Sequence, residues 1–115
     1  TPLGAASSQG HLNIAQFLVE CGADVNVGEG EHPTPLRSAA WNGHFDVVRF
    51  LVEHNANPNA RDGKIYPATV LGAASFRGHL DTVHFLVEHG AQVNLADGEH
   101  TAALRDAAWG GHLDI

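Results

Sequence analysis

The stretch TPLRSAAWNGHFDVVRFLVEHNANPNA, residues 34–60, decides the fold. Thr34 stands where a helix N-cap belongs, and Pro35 follows at the first helical position, where a missing N–H costs nothing. Gly43 supplies the stop, so a short helix is predicted between them. After it, Val47, Val48, Leu51 and Val52 share one helical face, Asp46 lies in the first turn, and Arg49 and Glu53 form an i,i+4 pair on the other face. A second, longer amphipathic helix follows from that spacing. Beyond it the run NPNARDGKIYP, rich in Asn, Pro and Gly, has the chemistry of a protruding turn or hairpin.

The same pattern recurs along the chain. Gly10-His11, Gly43-His44, Gly78-His79 and Gly111-His112 are spaced 33, 35 and 33 residues apart, and Leu3, Leu36, Leu71 and Leu104 keep that spacing. FLVE occurs at 17–20, 50–53 and 85–88, and Asn26, Asn59 and Asn94 agree with the same register. The loops DVNVGEGEHP and QVNLADGEH match the one after residue 56, and the two extra residues of the second interval fall in that loop, where insertions are tolerated. A fixed period of this length marks stacked repeats, each too small to bury its apolar face alone.

The pattern T-P-L-x-x-A-A-x-x-G-H, followed by an amphipathic helix ending L-V-E-x-G-A-x-V-N, resembles the ankyrin repeat over the whole chain. The resemblance implies an all-α solenoid of helix-turn-helix units with protruding β-hairpin loops. It implies a single domain over 1–115, with repeats at about 1–33, 34–68 and 69–101 and the first half of a fourth at 102–115. It also implies a protein–protein interaction module that binds a protein or peptide on the inner surface of the first helices and hairpin tips. Where the family usually carries histidine after T-P-L, this chain alternates Gly4, Arg37, Gly72 and Arg105. A helical glycine costs about 1 kcal/mol relative to alanine, so the first and third of these helices are expected to be weaker and histidine there stabilising. Neither end carries a polar capping repeat, so neighbouring repeats or self-association through the uncapped ends are expected.

Composition narrows the function classes. Hydrophobic residues make up 43% and charged residues 17% of the 115, and no apolar run approaches the roughly 20 residues of a membrane span. A net charge of -7 would repel a phosphate backbone, so neither nucleic acid nor membrane is an expected partner. Cys21 is the only cysteine, which suits a reducing, intracellular and cytoplasmic setting. His11, His44, His79 and His112 occupy the same place in every repeat, and the resemblance implies a structural role there. His54 and His89 lie near helix ends, where a cation favours the dipole, and His32 and His100 lie in equivalent loops about two helix layers apart. No metal site follows from them, and no catalytic signature or cofactor motif is present, so an enzyme is not expected.

The aromatic residues point further. The eighth residue of each repeat is Ser8, Trp41, Phe76 and Trp109, which a stack would place in one row opposite the buried alanines. Rings in a row on a hydrophilic face suit ligand contact, and packing along each repeat's own hairpin base is the competing reading. Arg77, Arg37 and Arg105 stand beside the row, and arginine and tryptophan are enriched in binding hot spots; for Arg37 and Arg105 hydrogen bonding within the stack is the alternative. The loops add the acids Glu29, Asp62 and Glu99 and, in the lengthened second loop, Tyr66. Phe17, Phe50 and Phe85 form a second row, expected in the core. Two other readings remain open: a spacer in a longer solenoid of a scaffold, ubiquitin-ligase receptor, kinase or channel, and an engineered repeat protein. The uneven 33, 35, 33 spacing and the helical glycines weigh against the last.

Overall fold

The computed structural model describes residues 1–27, 33–60 and 69–93. Six helices lie in this part: α1 (Pro2–Gln9), α2 (Leu12–Glu20), α3 (Pro35–Trp41), α4 (Phe45–Glu53), α5 (Val70–Arg77) and α6 (Leu80–Glu88). They alternate short and long as the sequence predicts. The hairpin tips expected from the resemblance fall at 28–32, 61–68 and 94–101, and the truncated fourth repeat at 102–115, outside the described residues.

Each first helix begins on a threonine. The hydroxyls of Thr1, Thr34 and Thr69 accept from the amides of Gly4, Arg37 and Gly72 at 2.9, 3.3 and 3.0 Å. Each ends in a glycine-terminated turn. Gly43 is left-handed at φ 76, and beyond it the His44 amide donates back to Ala39 O at 3.0 Å, closing the last turn before α4 starts. The same reversal ends the second helices, with Asn55 taking the left-handed place at φ 75 that Gly22 and Gly90 hold in the other repeats.

The first helices pack as one layer, α1 on α3 on α5, and the second helices as another, α2 on α4 on α6. Leu3, Leu36 and Leu71 form the repeating seam of the first layer, and Ala39, Ala40, Ala73 and Ala74 let its helices approach closely. In the second layer Val47, Val48 and Leu51 of α4 are fully buried, whereas α2 buries only Ala15. A stack supplies neighbours from adjacent repeats alone, so its middle member carries the densest core.

Two polar devices tie one repeat to the next. His44 Nε2 is 3.0 Å from the carbonyl of Ser8, and His79 Nε2 is 3.2 Å from that of Trp41, so each imidazole N–H donates into the preceding first helix. At the other edge of the stack Asn26 accepts from the Asn57 amide at 2.7 Å and donates to Asn55 O at 3.1 Å. Asn59 repeats this with Gln92 N and Gly90 O at 2.9 and 3.0 Å. Each asparagine thus satisfies two backbone groups of the following repeat. Asn59→Ala is expected to lower stability by about 1.5 kcal/mol, from two net hydrogen bonds at a partly hydrated site, and urea unfolding measures it.

One expectation needs correction. Phe17 is 62% exposed and not in the core. Phe85 is held by Phe45 of the preceding repeat, edge to face at 5.5 Å, and among the described residues no aromatic ring packs on Phe17 in this way. At the alternating glycines, a Cβ on Gly4 would stand 3.1 Å from the Thr1 hydroxyl that caps the helix, and Gly72 is buried, whereas the same place in the second repeat holds Arg37. His54 and His89 fold back on their own helices, each Nδ1 being 2.8 Å from the carbonyl of Phe50 or Phe85 and each ring lying on that phenylalanine at 4.1 or 4.0 Å. The imidazole itself fills the role at the helix end that the dipole argument gave to its charge.

Candidate functional site

The row predicted from position eight exists where it is described. Trp41 ends α3, Phe76 and Arg77 end α5, and the packing of α3 on α5 brings the three together. The Trp41 and Phe76 rings stack with centroids 5.6 Å apart and 14° between their planes. The Arg77 guanidinium lies over the Trp41 ring, with Cζ 4.9 Å from the centroid, and that of Arg37, one turn earlier on α3, lies at 5.4 Å. Both distances are within reach of a cation–π attraction. The histidine of the next repeat fixes the row's backbone, since His79 bonds the carbonyl of Trp41 itself.

Exposure separates these residues. Arg77 is exposed, and Trp41 and Phe76 are half-buried, so a ring edge and one guanidinium reach solvent from a pre-stacked platform. Arg37 is 5% exposed and differs from the expectation of a basic floor residue open to a partner. Its position at the third residue of α3 starts its side chain deep in the seam, and its apolar stem lies along the helix toward Trp41. Arg37 therefore supports the ring. In the first repeat the row holds Ser8, whose hydroxyl accepts from Asn42 Nδ2 at 3.2 Å. Trp109, Arg105, Tyr66, Asp62, Glu29 and Glu99 lie outside the described residues.

Sequence reasoning did not find the pairing of glycine with histidine across repeats. A Cβ built on Gly10 would stand 2.5 Å from His44 Nδ1, and one on Gly43 would stand 2.7 Å from His79 Cε1. The G-H dipeptide is thus half of two contacts: its histidine reaches back to one repeat, and its glycine makes room for the histidine of the next. The period of the dipeptide carried this signal, though not its geometry. Among the described residues no group of three His, Cys, Asp or Glu side chains is placed to hold a metal ion, and no helix is long and apolar enough to cross a membrane.

Comparison with known families agrees with the architecture. Residues 1–62 match a model for ankyrin repeats in three copies, and residues 70–115 match a second model for ankyrin repeats in many copies. No curated protein is similar enough to the chain to count as a match. Ankyrin repeats are in general protein–protein interaction modules and are typically non-catalytic. With the family model spanning more than half of the sequence and the helix pairs stacked in its register, the chain belongs to the ankyrin-repeat family.

Proposed function

We infer that the chain is a protein-recognition module with no chemistry of its own, and that its binding face is the side of the first helices carrying the aromatic row. The observation that supports this most strongly is the stack of Trp41 on Phe76 under the Arg77 guanidinium, held rigid and left half-exposed. Side chains already ordered in the free protein lose little entropy on binding, and a Trp–Arg pair offers an apolar surface and a cation at one point. Trp41 and Phe76 supply the anchor, and Arg77 pairs a carboxylate or carbonyl of the partner protein or peptide. Arg37 holds the platform from beneath. Trp109 and Arg105 extend the row in the fourth repeat, and Glu29, Asp62, Tyr66 and Glu99 reach the partner from the loops. Such loop acids set orientation and association rate.

Within this reading the 115 residues form one domain, with repeats beginning near residues 1, 34, 69 and 102, and it works inside the cell, where the exposed Cys21 stays reduced. Its test is the double variant Trp41→Ala/Phe76→Ala. Binding of a selected peptide is expected to weaken by at least ~2 kcal/mol while the helical circular dichroism persists. Unchanged affinity would move the binding face away from the row.

A further inference from the structure

The second-helix side of the stack carries a cleft that shares no residue with the aromatic row. It lies where α4 meets α6 and has a volume of 400 Å³, within the size range of ligand pockets. Phe45, Leu80 and Phe85 supply its apolar part. The two rings meet edge to face at 5.5 Å and are half-buried, and Leu80 is 39% exposed, so this apolar surface is open to solvent. Asp81 and Glu88 also line it, seven residues and so about 10 Å apart along α6, with His84 between them.

The internal repeat shows what this pattern lacks. Asp46, Arg49, Phe50 and Glu53 of α4 occupy the places that Asp81, His84, Phe85 and Glu88 hold on α6. On α4 the arginine stands three residues after one acid and four before the other, within a turn of both. Helix α6 keeps both acids and contains no lysine or arginine. Among the described residues neither acid is paired with a lysine or arginine. Asp81 Oδ1 accepts from the Thr82 amide at 2.8 Å, which leaves its second oxygen to a ligand, and the side chains of Asp81, His84 and Glu88 are all exposed.

We propose that this cleft receives an arginine side chain of a partner protein, which supplies from outside what Arg49 supplies on α4. The guanidinium lies against the exposed ring surface of Phe45 and Phe85 and between the carboxylates of Asp81 and Glu88, and the neutral His84 imidazole can accept from it. An apolar neighbour in the partner covers Leu80. Arginine suits the site better than lysine, because a planar, weakly hydrated guanidinium stacks on a ring while its fork reaches a carboxylate. An acidic side chain meets two like charges here, and a purely apolar one leaves both acids without a partner. The net charge of -7 favours the approach of a basic segment. The site is separate from the platform of Trp41 and Phe76, where the exposed Arg77 selects the opposite charge.

The test titrates N-acetyl-arginyl-leucinamide and its uncharged isostere N-acetyl-citrullyl-leucinamide into the ¹⁵N-labelled chain. The amides of Phe45 and of α6 are expected to shift saturably, with the arginine probe binding roughly fivefold more tightly, the worth of two exposed ion pairs. Added salt is expected to reduce that preference. Asp81→Asn/Glu88→Gln is expected to erase it without disturbing the helix, since an asparagine still accepts from the Thr82 amide. His84→Arg copies α4, and is expected to fill the cleft from within and bring the arginine probe down to the level of its isostere. Trp41→Ala is expected to leave both affinities within about twofold, because Trp41 does not line the cleft. The cleft can therefore fail while the aromatic platform stands, and the reverse. Absence of saturable shifts on α6, equal affinity for the two probes in the native chain, a preference that survives either the double variant or His84→Arg, or loss of binding in Trp41→Ala would each overturn the proposal. So would shifts at the same amides on concentrating the protein alone, which would put a second copy over the cleft.

Discussion

Gly43→Ala is expected to destabilise the chain by about 3 kcal/mol, more than an alanine in place of glycine costs at any ordinary surface turn. Two effects add. The backbone at Gly43 is left-handed at φ 76, which an L side chain adopts at a cost of about 1–2 kcal/mol. The new methyl would also stand 2.7 Å from His79 Cε1, closer than atoms pack, so the imidazole must leave the carbonyl of Trp41 to which it donates. A double-mutant cycle separates the terms. In a His79→Ala background the same change is expected to cost only the backbone part. Chemical denaturation of the four proteins supplies the cycle, and strict additivity would mean that glycine and histidine are not coupled across the repeats.

Leu51→Ala is expected to cost a similar amount, about 3 kcal/mol, through a cavity that the second layer cannot close. Leu51 is fully buried and lies on the central helix α4, with α2 on one side and α6 on the other. Hydrogen exchange locates the damage. In a stack held by nearest neighbours, protection is expected to fall in α2 and α6 as well as α4, whereas a change in α2, which buries only Ala15, is expected to stay local. Loss confined to α4 would contradict the nearest-neighbour account.

Most of the fold was legible because its determinants are local. A threonine before Pro2 and Pro35, and a glycine at 10, 43 and 78, fix helix starts and stops within a few residues of chain, and the period fixes which helices stack. The candidate site was legible to the same depth: counting to position eight predicts that Trp41 and Phe76 share a row, and they stack. What depends on neighbours across repeats was not legible. Phe17, Phe50 and Phe85 are indistinguishable by periodicity, yet Phe85 has Phe45 beside it and Phe17 is exposed. Arg37 and Arg77 look alike as arginines near the row, and only the depth of the third position of α3 separates the buried one from the exposed one.

The most direct test of the central claim is acrylamide quenching of Trp41 in the Trp109→Phe variant, where Trp41 is the one remaining tryptophan. Peptides without tryptophan are selected for binding to this variant, and quenching is measured before and after saturation. The account predicts partial quenching in the free protein, marked protection in the complex, and affinity reduced about thirtyfold or more in Trp41→Ala, the scale of a hot spot. Peptides that leave the quenching of Trp41 unchanged and bind Trp41→Ala as tightly as its parent would contradict it.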